Sequence, residues 1–166
     1  MRKIIFILSA AASICVLTLA MSMQPNESYY LPVYMERAEL EKSVKYDAEP
    51  REMTDPGKIY VKGSYIYVNE RYKGIHVINN SNPRNPVRIG YIIAPGCLDM
   101  AVKENIMYID NAVDLVAFDL NTKQVTKRII NYFPERMAPN GQYAHYSDRP
   151  KDYILVGWQL NSSGNK

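Results

Sequence analysis

From Lys58 onward the chain is a series of short runs in which apolar and polar positions alternate, broken by turn residues. Ile59 to Lys62 and Tyr65 to Asn69 flank Gly63 and Ser64, a loop of the Gly-first type that closes a tight hairpin. Ile75 to Asn79 reads as a third strand. The cluster Asn80, Ser81, Asn82, Pro83, Arg84, Asn85, Pro86 is a turn, and Val87 to Ile93 is a fourth strand that stops at Pro95 and Gly96. The pattern predicts four short antiparallel strands over roughly forty residues.

The same order then recurs. Val61, Lys62 and Tyr67 match Val102, Lys103 and Tyr108 at an offset of 41, and Ile66 and Val68 are answered by Met107 and Ile109. After one deleted residue the offset is 40, pairing Ile75 with Leu115, Asn79 with Asp119, Arg88 with Arg128 and Ile89 with Ile129. A four-strand unit that repeats every 40 to 45 residues is the mark of a β-propeller blade, a twisted sheet that buries both faces against its neighbours.

Before Lys58 the character differs. Pro25, Pro32, Pro50 and Pro56 punctuate residues 23–57, where Met35 to Lys45 is the one helical stretch, charged at Glu36, Arg37, Glu39, Glu41 and Lys42. Ala38 and Leu40 give it a narrow apolar stripe, so a short solvated helix packing on the domain edge is expected. Further upstream, Arg2 and Lys3 precede an uncharged apolar run from Ile4 to Ala20, and Ala20 and Ser22 place small residues around a cleavage point after Ser22. This is the layout of a secretory signal peptide, residues 1–22. Lipid attachment at Cys15 and an uncleaved anchor over Ile4 to Met23 are the alternatives, and all three place the remainder outside the cytoplasm.

Leu115, Val116, Ala117, Phe118, Asp119 and Ile75, His76, Val77, Ile78, Asn79 resemble the core of LVIVD repeat proteins, and the turn Asn80 to Pro86 resembles the one that follows that core. The similarity covers about 57 to 132. Leu31 to Met35 and Pro56 to Tyr60 further resemble the entry segment of exported LVIVD proteins of Bacteroides-like bacteria. The resemblance implies a secreted or surface-attached β-propeller of poorly defined activity, with no family-wide catalytic residues to carry over. The second repeat departs from the pattern, because Leu120 to Gln124 stands where the proline turn would be.

These readings divide the chain into a signal peptide at 1–22, a lead-in at 23–57, blade-like repeats at 58–96 and 97–133, and a partial third repeat with a polar ending at 134–166. The expected fold is all-β, with four-stranded antiparallel blade-like repeats of a β-propeller, two blades plus part of a third, and an N-terminal signal helix. A propeller takes about four to eight blades. The chain is therefore expected to be either a truncated member of the family or completed by self-association, since an open array exposes an apolar blade face.

Composition narrows the function classes. Of 166 residues 47% are hydrophobic and 22% charged, as in an ordinary globular chain, and 14 are Tyr against 3 Phe and 1 Trp, which suits half-buried strands. The net charge is +3, and without Arg2 and Lys3 the 20 basic groups become 18 against 17 acidic ones, so no nucleic-acid footprint is present. Membrane contact is expected only through an uncleaved or lipidated N-terminus. Beyond Cys15 the sole cysteine is Cys97, which cannot form an internal disulfide and reads as a buried structural thiol.

Chemistry-bearing residues are few. His76 lies within a strand, as packing histidines do, and His145 has Asp148 three positions away without a Ser or Cys in an elbow-like turn. Asp99, Asp110, Asp114 and Asp119 sit at strand ends and could gather round a cation, yet they lack the spacing of a calcium loop. No catalytic, cofactor or metal residue is nominated. Tyr60, Tyr65, Tyr67, Tyr72, Tyr91 and Tyr108 suggest a stacking surface, with packing between blades accounting for most of them and Tyr72, in Arg71–Gly74, the candidate ligand contact. The function expected is a noncatalytic extracytoplasmic binding or scaffolding module with a protein or glycan ligand. The alternative is a periplasmic or surface glycan-active enzyme fragment using Asp110, Asp114 or His145 in a completed propeller.

Overall fold

The computed structural model describes residues 29–145 and 149–161. The signal segment and its helix, Asp148 and the polar ending beyond Asn161 lie outside the described residues.

Among the described residues, eleven strands and one helix run in the order β1 (Tyr30–Glu36), α1 (Arg37–Ser43), β2 (Lys45–Asp47), β3 (Pro56–Lys62), β4 (Tyr65–Glu70), β5 (Gly74–Asn79), β6 (Val87–Ile93), β7 (Met100–Lys103), β8 (Ile106–Asn111), β9 (Asp114–Asp119), β10 (Gln124–Ile129) and β11 (Tyr153–Leu160). The fold is all-β. Strands β3 to β6 form an antiparallel meander extended at its outer edge by β2, and β7 to β10 form a second meander, so two blade-like sheets stand side by side. In the first hairpin Lys62 pairs with Tyr65 across Gly63, whose φ of +56° fits the Gly-first turn. The equivalent turn of the second blade puts Glu104 in the same left-handed region, at φ +52°.

The main core lies between the blades. Tyr67, Ile75, Val77 and Ile92 of the first blade meet Met100, Met107, Ile109, Val116 and Phe118 of the second, with Ala94 and Cys97 of the connecting loop buried beside them. Alternation along each strand explains this: Tyr67 and Val77 are directly paired neighbours on one face, as are Ile109 and Val116 on the facing sheet. The shorter loop of the second repeat is a sound turn. The Asp119 carboxylate accepts the N–H groups of Asn121 and Thr122 at 2.7 and 3.1 Å, and Lys123 takes φ +59°.

The lead-in differs from its expectation as a helix at the domain edge. Its helix covers Arg37–Ser43 rather than Met35 to Lys45, and the lead-in also supplies a strand to each of two sheets. β2 pairs with β6, while β1 pairs antiparallel with β11, from Tyr30 opposite Leu160 to Glu36 opposite Tyr153. Where the sequence predicts a partial third repeat, Tyr153–Leu160 is a single strand, and its partner is the lead-in. Pro32 is tolerated because β1 has a neighbour on one side only. The two-stranded sheet rests on the strand-end turns of both blades: Leu40, Ala112 and Val156 form one small core, and Leu155, Trp158 and Ala138 another with Tyr72 against them.

Candidate binding surface

The acidic residues that the sequence placed at strand ends are not gathered round a common point. Asp114, at the start of β9, is fully buried and fully engaged. Arg37 Nη1 donates to both of its oxygens at 2.8 Å, Arg128 Nη1 donates to Oδ2 at 2.8 Å, and the Asn131 N–H donates to Oδ1 at 3.0 Å. Burial alone would raise this carboxyl, but the two guanidiniums and the amide outweigh it and hold it below its ordinary value. Asp119 is spent on its turn. Asp99 pairs with Lys58 at 2.6 Å on the surface.

Asp110 differs. Its Oδ1 accepts the N–H groups of Leu98 and Asp99 at 2.9 and 2.8 Å, and Oδ2 lies 3.6 Å from Arg136 Nη2. Burial pushes its carboxyl up despite those amides. The neighbouring Cys97 thiol is pushed up as well, by burial first and then by the negative charge of Asp110, so it is held as an unreactive thiol. Among the described residues no three His, Cys, Asp or Glu side chains are placed to share a metal ion.

The histidines are far apart in role. His76 is fully buried in the first blade, its Nε2–H directed at Glu70 Oε2 at 3.1 Å and its ring meeting Tyr91 edge-on with centroids 4.9 Å apart. His145 lines a surface depression with Pro134, Glu135, Arg136, Tyr143 and Leu155. Asp110, Asp114 and His145 do not line one depression: the oxygens of Asp114 are fully occupied, Asp110 lines a hollow with Tyr108, Phe133 and Arg136, and His145 lines a different one.

The tyrosines divide more usefully. Tyr60 donates its hydroxyl to the Val102 carbonyl at 2.9 Å, tying β3 to β7, and Tyr67 and Tyr91 are buried. Tyr72, expected on an exposed loop, is half-buried, because the β1–β11 sheet lies over its turn and a Cβ on Gly157 would come within 3.1 Å of its ring. It lines a cavity of about 10 Å³, room for a single water. Tyr46 and Tyr65 instead open on a cleft of about 130 Å³ between the blades, together with Tyr67, Phe118, Leu120 and Lys123. Tyr65 and Tyr67 stack with centroids 6.4 Å apart, and Lys123 Nζ stands 4.0 Å over the Tyr46 ring. Sequence alone ranked Tyr65 with the packing residues, and Tyr46 and Lys123 carried no signal, since the cleft exists only where β2 and the β9–β10 turn meet.

No family model matches this chain, and no curated protein matches it. Among solved structures it is similar to the N-terminal domain of Nup159, at 22% identity and a TM-score of 0.39, over 49% of this chain and 22% of that one.

Proposed function

We propose that this chain is a noncatalytic extracytoplasmic binding or scaffolding module built from LVIVD-type repeats, and that the cleft between its blades is where it takes hold of a ligand. The observation that carries the reading is the wall of Tyr46, Tyr65, Tyr67 and Phe118 with a lysine at its mouth. Aromatic faces offer apolar area to a flat ring, and the Lys123 ammonium and the tyrosine hydroxyls offer polar edges. A volume of about 130 Å³ accepts one ring, so the ligand is a peptide side chain or a single sugar residue of a longer chain lying across the blade edges.

Titration with a panel of soluble oligosaccharides and short aromatic peptides, followed through the tyrosine ring resonances, is expected to shift Tyr46 and Tyr65 for at least one member. Tyr65→Ala should weaken that binding about tenfold, the size of one lost stacking contact, with the fold unchanged. Shifts confined to residues outside the cleft, or none across the panel, overturn the site. Turnover of a bound oligosaccharide overturns the noncatalytic assignment.

Export has its own support in Arg2, Lys3 and the apolar run from Ile4 to Ala20. Residues 1–30 fused to a reporter that works only outside the cytoplasm should give an active reporter; an intact but silent fusion inside the cell contradicts it.

A further inference from the structure

The repeat makes the two outward blade faces complementary to each other. The second blade packs on the first through Met100, Val102, Met107, Ile109 and Phe118. Their equivalents in the first blade are Ile59, Val61, Ile66, Val68 and Ile78, which share that blade's outward face: Ile59 pairs with Val68 and Val61 with Ile66 across the β3–β4 hairpin. Where Met100 is 7% exposed, Ile59 is 67% exposed and Val61 61%, whereas Val68 and His76, the equivalents of Ile109 and Val116, are already buried at the end of the blade where Glu70 holds Thr54 and Asp55. The converse holds on the other side. The first blade receives the second on Tyr60, Tyr67, Ile75 and Val77, whose equivalents are Ala101, Tyr108, Leu115 and Ala117. Tyr67 is 5% exposed and Tyr108 39%.

We infer that a second copy of this chain stacks head to tail, setting the open part of the outward face of its first blade, around Ile59 and Val61, on the outward face of the second blade and so repeating the contact of β7 with β3 that already joins the two blades. This holds whether or not the tyrosine cleft takes a ligand. Charge supports the same register. Lys58 bridges to Asp99 within the chain, and 58 and 99 are themselves equivalent positions, so the repeated contact brings Asp99 of one copy to Lys58 of the next. The side chains are 62% and 49% exposed, which leaves both able to extend the pairing. Shape supports it too: the outward face of the second blade carries a hollow of about 180 Å³ lined by Asp99, Ala101, Tyr108, Asp110, Phe133 and Arg136. Ile59 of the incoming copy, which plays the part of Met100, lies over that hollow. Such a contact uses different faces on the two copies, so it leaves one free face at each end and builds a ring or a stack.

The test uses the full chain with Cys15→Ala and with Cys97 left in its buried place. One preparation carries Val61→Cys and another Ala101→Cys, the equivalents of Val102 and Tyr60, which touch in the interface between the blades. A short bis-maleimide should give little cross-linked dimer in either preparation alone and abundant dimer when they are mixed. Ile59→Asp in the Val61→Cys chain, a change at an exposed position, should cut that yield at least tenfold. Equal cross-linking within one preparation points to like faces meeting and overturns the proposal, as does the absence of the mixed dimer at high protein concentration, or a yield that Ile59→Asp leaves unchanged.

Discussion

Asp114→Ala is expected to cost about 3 to 4 kcal/mol of unfolding free energy, because it leaves two guanidiniums facing each other over an emptied, buried acceptor. Arg37 comes from the junction of β1 and α1, Arg128 from β10, and the Asn131 N–H from the segment after β10. One carboxylate thus fastens the lead-in to the second blade. Arg128 also reaches Asn111 Oδ1 at 2.7 Å and the Leu40 carbonyl at 3.2 Å, so the loss spreads to the end of α1. Arg37 keeps some exposure and can rehydrate, which sets the expected cost toward the lower end of what a severed buried pair loses. Asp114→Asn retains an acceptor but not the charge and should cost less than Ala. Urea denaturation of the three proteins measures this directly, and a change below about 1 kcal/mol for Asp114→Ala would show that the clamp is not what holds the lead-in.

The blades were legible because they are local. Alternation of apolar positions, the Gly63–Ser64 turn and the offset of 41 are all carried by residues within one or two strands of each other. The pairing of β1 with β11 joins segments some 120 residues apart, and nothing in Tyr30–Glu36 announces it: Leu31 and Val33 are apolar yet face outward, and Pro32 argues against a strand by its type. The burial of Asp114 was hidden for the same reason, since an aspartate at a strand end reads as a turn residue until Arg37 arrives from far along the chain. Conversely, the prominence of Tyr72 came from its loop context, and the sheet that covers it is the nonlocal one.

The nonlocal parts also explain how the cleft between the blades arises. With β2 added to its outer edge, the first blade has five strands against the four of the second, and the overhang brings Tyr46 opposite Lys123. The sites of polar chemistry that the strands do bury are used for closure: Asp114 on the lead-in, Asp110 on the Cys97–Asp99 turn, and Glu70 on the segment that crosses the first blade.

Glu70 should make the fold acid-sensitive in a definite window. Its carboxylate accepts the N–H and hydroxyl of Thr54, the Asp55 N–H at 2.8 Å and the His76 Nε2–H at 3.1 Å, pinning residues 54–55 over the buried end of the first blade. Burial on its own would raise the carboxyl, but these donors outweigh it and bring it from 4.5 to about 2. A group whose value is lower folded than unfolded stabilises the fold fully above the unfolded value and loses that contribution as pH falls through the folded one. The Glu70 contribution is therefore complete above about pH 4.5 and fades between there and about pH 2. A shift of roughly 2.5 units corresponds to about 3 kcal/mol, and the side chain is too buried for solvent to screen much of it. Other carboxylates titrate over the same range, so the readout is the difference between the native protein and Glu70→Gln in urea midpoints taken from pH 7 to pH 2. The gap in stability should be widest at neutral pH and narrow by about that amount on acidification. A gap that stays constant with pH would mean that the glutamate holds the crossing segment through shape and hydrogen bonding alone, with its charge contributing nothing.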